Sequence, residues 1–196
     1  MPKILSVRSE KSIRQLRLTF PVPDIQADYR DKPLSFIGHL LGHEGKGSLL
    51  SGLKEAGLAE SLSAGVGLRY QGGATFQLDI GLTEAGLDQV ELVVDQVFKA
   101  IGFLLQRLNN DVDAMEKLYQ EQSQLAKMAF YFFEKPDPIA AVVGASSGLH
   151  FYLPEDVIAG DYLLMDFKPD LIRQRLNRLN TNNALISIVS DQLPRR

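Results

Sequence analysis

The 196-residue sequence contains no cysteine, which excludes disulfides, thiolate metal sites and cysteine nucleophiles together. It also lacks an excess of charge: 21 Lys and Arg stand against 24 Asp and Glu, a formal charge of −3. A nucleic-acid binder shows a basic excess or a basic stripe, so no nucleic-acid partner is expected. The final pair, Arg195 and Arg196, reads as a solvated tail. No apolar run reaches the roughly 20 residues that span a bilayer. The opening Met-Pro-Lys-Ile-Leu-Ser-Val has no apolar core of a signal peptide. No membrane partner is expected, and any export signal would lie upstream. Internal repeats, low-complexity stretches and an interdomain linker are missing too. The chain therefore reads as one domain, 1–196, long enough for one sizeable core.

What is present is the balance of a globular protein, with 45% hydrophobic and 23% charged residues. Leu16, Leu18 and Phe20 alternate with Gln15, Arg17 and Thr19, which predicts a strand over 13–20 that Pro21 and Pro23 stop. From Pro33 to about His43, Leu34, Ile37, Leu40 and Leu41 recur at helical spacing. Gly45 and Gly47 break that helix, and Ser48 caps a second one running to about Ala56. Strands over Leu58–Val66 and Ala74–Leu82 flank a flexible stretch, Gly67–Gly73. Thr83 and Glu84 open one long helix with the stripe Leu87, Val90, Val94, Val97, Ile101, Leu104 and Leu108. Another follows over Val112–Phe133, its inward face set by Val112, Met115, Leu118, Leu125, Met128 and Phe132. The aromatics Phe130 to Phe133 read as core and interface packing. A helix over 138–149, small ones near Glu155 and Pro169, and a strand over Ala184–Ser190 complete the chain. The short link between adjacent strands favours antiparallel pairing. The fold class is therefore α+β, a mostly antiparallel sheet with helices packed on one face.

The richest segment is Gly38-His39-Leu40-Leu41-Gly42-His43-Glu44-Gly45-Lys46-Gly47-Ser48. His39 and His43, four apart on a helix, have zinc-chelating spacing. Zinc peptidases, however, place a carboxylate between two such ligands, as His-Glu-x-x-His or His-x-x-Glu-His. Glu44 lies beyond both histidines, and only His150 remains as a third imidazole. No metal ligand and no catalytic residue is assigned; helix-end hydrogen bonding or ligand contact suits these histidines better. Gly45-Lys46-Gly47-Ser48 fails as a phosphate loop because Gly47 separates Lys46 from Ser48. Ser146-Ser147-Gly148 lacks the Gly-x-Ser-x-Gly elbow of a serine hydrolase.

Several blocks nevertheless resemble a known family in the right order. They are Phe20-Pro21-Val22-Pro23-Asp24, His39 through Leu50, Leu53-Lys54, Gly57, Leu62 and Gly65, Leu82 through Leu87, Tyr162-Leu163-Leu164, Phe167 through Ile172, and Ile188-Val189-Ser190. Together they resemble the second, non-catalytic domain of the insulinase (pitrilysin) family of zinc peptidases, over nearly the whole chain. The resemblance implies a domain of the insulinase/mitochondrial processing peptidase-like type, cut from a four-domain zinc metalloendopeptidase that degrades peptides. Zinc is expected in the parent's preceding domain and no cofactor in this chain. Its expected partners are a peptide substrate and the other domains of the parent, and a bacterial parent would be periplasmic or secreted. The resemblance further implies an exosite that holds the substrate's N-terminal end as an added strand. Its residues would be His39, Gly42 and Glu44 on one segment and Leu62, Ser63, Ala64 and Gly65 on the other. At Ser63-Ala64-Gly65-Val66 the chain departs from the family's two glycines and glutamine, and the methyl of Ala64 narrows the approach there. An alternative is a structural or assembly domain of a relative without peptidase activity; a stand-alone metal-dependent hydrolase using His39 and His43 is a third.

Overall fold

A computed structural model describes residues 3–193, so the tail formed by Arg195 and Arg196 lies outside the described residues. Five strands form one sheet: β1 Lys3–Arg8, β2 Arg14–Pro23, β3 Ala59–Tyr70, β4 Gly73–Leu82 and β5 Leu185–Ser190. Their order is β1-β5-β2-β4-β3, with only β1 and β5 parallel. The mostly antiparallel α+β architecture follows. The register sets Leu16 against Ile80, Leu18 against Leu78 and Phe20 against Phe76, all fully buried. Slipping that register by one residue would turn every one of these side chains to the other face. Helix α4, Val90–Asn110, covers them with Val93, Val97, Ile101 and Leu108. Phe98 meets Phe20 edge to face, ring centroids 6.2 Å apart.

Four details differ from the sequence pattern, each for a physical reason. First, β2 runs through Pro21 and Pro23. Pairing with β5 ends at Thr19, so the proline nitrogens point where no strand needs a donor. Asn183 Nδ2 and Arg175 Nη1 donate to the carbonyls of Pro21 and Pro23 on that side. Second, β1 escapes the pattern because every residue in it is exposed, leaving no alternation to read. Third, Gly67–Gly73 is mostly strand, and only Gln71 and Gly72 form the turn, Gly72 at φ +85°. Fourth, the long helix is broken at Gln89 into α3, Glu84–Asp88, and α4. The expected stripe holds at Val97, Ile101 and Leu108, while near the break Val93 is fully buried and Val94 packs at the margin.

The remaining helices are α1 Pro33–Leu41, α2 Leu49–Glu55, α5 Val112–Tyr131, α6 Pro138–Gly148 and α7 Pro169–Leu176. Ser48 caps α2, accepting from the Ser51 N–H at 3.1 Å. In α5 the buried face is Met115, Tyr119 and Ser123, while Leu125, Met128 and Phe132 are exposed. The inward face read from the sequence therefore holds only in the helix's first half. Between α6 and α7 a strap of irregular chain, 150–168, returns across the outside of α1 and α5.

Candidate functional site

Helix α1 begins at Pro33, whose missing N–H costs nothing at a first turn. Leu34, Phe36, Ile37 and Leu41 are buried, which leaves Ser35 and His39 on the outward flank. The helix packs on β3, the last strand of the sheet, whose outer edge has no strand partner among the described residues. Contact is close enough to demand glycine. A side chain at Gly38 would start 2.8 Å from the Ala64 carbonyl oxygen, and one at Gly42 would stand 3.4 Å from the Ala64 nitrogen.

The two segments singled out by the sequence are thus brought together. His39 lies on the outward flank of α1, Gly42 at its C-terminal cap and Glu44 exposed just beyond. Ser63 is exposed and Ala64 and Gly65 half-buried on the edge strand. Leu62 turns its side chain into the core, 5% exposed, so only its backbone is available to a ligand. The methyl of Ala64 is directed at Gly42, lying 3.8 Å from where a side chain there would begin.

The histidine rings sit 6.0 Å apart, tilted by 51°. Burial, and then the neighbouring His43, hold His39 below the ordinary imidazole range, which favours its neutral form. The His43 ring fills the space that a side chain at Gly45 would need. Neither ring has a carboxylate between it and the other, and among the described residues no group of three or more His, Asp or Glu side chains could hold a metal ion. This chain's residues do not fit a zinc site. Among the described residues Glu44 takes part in no ion pair, leaving its carboxylate available.

A cavity beside the N-terminal half of α1 involves residues that the sequence did not single out. Lys32 precedes α1 at φ +40°, and its Nζ donates to the carbonyls of Gly160 and Asp161, 2.7 Å each. Burial pushes this ammonium down to about 8, with Arg69 adding to the shift and Asp161 opposing it. A cavity runs from Lys32, Ser35 and His39 past Arg69 to the strap residues Asp161 and Leu164. Ser35 could be read as the residue four before His39 on one helical flank, whereas Lys32 lies outside the helix, where that spacing does not apply. Arg69 and the strap come from far along the chain, where no local spacing signals them.

Residues 2–117 match the family model described as the peptidase M16 inactive domain, and residues 130–195 match the middle or third domain of peptidase M16. Human insulin-degrading enzyme is 39% identical over 180 residues, covering 92% of this chain and 17% of the enzyme. The A-factor-processing enzyme of Saccharomyces cerevisiae is 32% identical over 194 residues, covering 98% of this chain and 18% of the enzyme. A crystal structure of pitrilysin superposes with a TM-score of 0.89 at 20% identity, over 98% of this chain and 20% of that one, a likeness of fold. The chain thus spans less than a fifth of the two relatives' own length. No helix among the described residues is long and apolar enough to cross a membrane.

Proposed function

The chain belongs to the M16 (insulinase) family of peptidases, as a domain of the inactive type, and from that premise we propose that it binds substrate for a zinc-dependent metalloendopeptidase that degrades peptides. The observation that carries this reading is the outer edge of β3, which has no strand partner among the described residues, packed by α1 at Ala64, with the exposed carboxylate of Glu44 two residues beyond Gly42, the cap of that helix. An edge strand offers backbone hydrogen bonds to any sequence, and a carboxylate beside it pairs with a peptide's α-amine. The names of the relatives, an enzyme that degrades insulin and one that processes A-factor, agree with a peptide as the ligand class. In this reading the zinc and its catalytic carboxylate belong to the parent's preceding domain.

The whole chain acts as one unit in this proposal. Strand β5, within the stretch that matches the middle-domain model, lies between β1 and β2 and completes the sheet. The parent's other domains are its second partner, and we assign them the exposed apolar surface of α5 and α6, where Tyr131, Phe132, Ile139 and Val142 lie open.

The test is titration with matched peptides carrying free or acetylated N-termini. Backbone bonds add about 0.5–1.5 kcal/mol each against several kcal/mol of ordering cost, so affinity should be on the order of tens of micromolar or weaker. Free-amine peptides should bind more tightly, and Glu44→Gln should erase the difference. Equal affinities in the unaltered chain would remove the support for this site.

A further inference from the structure

The groove does not end at the amine site. We propose that its far end, between α1 and the strap, is a second subsite that takes a carboxylate carried by the same peptide about five residues from its free amine. The proposal rests on the reading of β3 as the peptide's track.

Its geometry follows from how α1 lies on β3. Gly42 abuts the Ala64 nitrogen, Gly38 abuts the Ala64 oxygen and the Gly65 Cα, and Pro33 to Ser35 share a cavity with Val66 and Arg69. Helix and strand are therefore antiparallel neighbours, with Glu44 at one end and Lys32 with Arg69 at the other. Two rulers give the span. The ten steps from Lys32 to Gly42, the residues that bracket α1, cover about 15 Å. The five steps of strand from Ala64 to Arg69, which include an irregularity between Val66 and Arg69, cover at most about 16 Å. An extended peptide crosses that distance in about five residues.

The chemistry of the far end favours an anion. Lys32 and Arg69 bring two positive charges to the cavity against one carboxylate, Asp161, which already accepts from the Tyr152 hydroxyl at 2.6 Å. Lys32 spends two donors on carbonyls and keeps a third. Arg69 takes part in no ion pair among the described residues. Ser35 and His39 line this cavity along the flank of α1 that leads toward Gly42 and Glu44. The groove is thus polarised, negative at Glu44 and positive at Arg69, the inverse of a peptide with a leading amine and a following carboxylate.

The carboxylate has two sources, an acidic side chain or the C-terminus of a five-residue peptide. Three free-amine ligands separate them: a C-amidated octapeptide with Glu at its fifth residue, the same peptide with Gln there, and a Gln-ending pentapeptide with a free C-terminus. The Glu octapeptide should bind about threefold to fivefold more tightly than its Gln twin, the range of one partly exposed ion pair. The pentapeptide matching the Glu octapeptide would extend the subsite to C-termini; matching the Gln octapeptide, it would confine it to side chains. Arg69→Gln should erase the Glu preference and leave the free-over-acetylated preference intact, while Arg69→Lys should keep part of it. Equal binding of all three ligands, or a Glu preference that survives Arg69→Gln, overturns the subsite. If the amine preference persists beside that result, the exosite reading stands. An Arg69-dependent Glu preference without any amine preference would do the reverse, and no binding at all would overturn both.

Discussion

The sheet with α4 and the strap of 150–168 are held by opposite means. Beneath α4 the side chains of Leu16, Leu18, Phe76, Leu78 and Ile80 are fully buried and wholly apolar. The strap is tied down mainly by polar contacts. Tyr29 and Arg30 donate to Asp156 at 2.6 and 2.7 Å, Ser123 to the Leu164 carbonyl at 2.7 Å, and Lys168 to Asp31 at 2.6 Å. Half-buried aromatic contacts add to these ties: Phe167 packs on Tyr119 with centroids 5.6 Å apart, Tyr152 on Tyr29 at 5.2 Å and Tyr162 on Phe130 at 5.5 Å. Apolar burial is cooperative and indifferent to pH, whereas partly exposed polar ties are each worth little and answer to protonation and salt. The candidate site lies on the boundary: at one end Glu44 follows α1, which packs on the sheet through Gly38 and Gly42, and the Arg69 end is closed by the strap. Regions held this way open first, which suits a surface that must admit a ligand.

The sharpest contrast is in unfolding free energy. Ile101→Ala removes a side chain that is 3% exposed beneath α4, and should cost about 2–5 kcal/mol in chemical denaturation. A loss under about 1 kcal/mol would show that α4 is not the core helix. Next comes Tyr119→Phe, at the seam between the two regions. The Tyr119 hydroxyl donates to the Asp31 carbonyl at 2.8 Å in a buried setting. Removing it leaves a buried acceptor unpaired, and about 1–3 kcal/mol should be lost. No loss would mean that water reaches the seam.

The same boundary divides what could be read in the sequence. Alternation at Leu16, Leu18 and Phe20 and at Phe76, Leu78 and Ile80 is legible because one face of each strand is buried. Strand β1 is illegible because neither of its faces is covered. The stripe on α4 was legible from Val97 through Ile101 to Leu108, and only at its start does Val93 replace Val94 as the buried residue, next to a break at Gln89 that depends on its surroundings. On α5, Leu125, Met128 and Phe132 keep helical spacing yet face outward. Periodicity reveals an apolar face and says nothing about which part of the chain covers it. At the site, His39, Gly42 and Glu44 came from one continuous segment, whereas Arg69 and Asp161 joined it only through tertiary folding.

A weaker effect should appear as a dependence on pH. Lys32 titrates near 8 in the fold against 10.5 in an exposed chain, so the unfolded state holds the extra proton between those values. Stability should therefore rise with pH from about 8 to about 10.5, and the penalty is complete below the lower value. The slope should fall short of about 1.4 kcal/mol per pH unit, because solvent still reaches the amine. Burial and the hydrogen bond to Asp161 push Tyr152 up to about 12, which acts in the opposite sense as tyrosine ionises in the unfolded chain. Comparison with Lys32→Met cancels that contribution. The stability difference, wild type minus variant, should increase between about pH 7.5 and about pH 10. A constant difference would mean that the Lys32 amine is as solvated in the fold as outside it.

The smallest effect on stability should come from the outward half of α5. Phe132 is 81% exposed, next to Tyr131 at 81% and Ile139 at 77%. Truncating a side chain that touches little removes little, so Phe132→Ser should change the unfolding free energy by less than about 0.5 kcal/mol. The apolar surface available to other molecules should nevertheless shrink. Binding of a hydrophobic dye and concentration-dependent self-association should both fall in the variant, since a contiguous apolar patch drives both. On the proposal that the parent's other domains seat on this face, the same substitution in the parent chain should cost stability that it does not cost here. A loss in the isolated chain comparable to that of Ile101→Ala would mean that the chain itself covers Phe132, which would bring the outer half of α5 into the apolar core and leave the strap as the only region outside it.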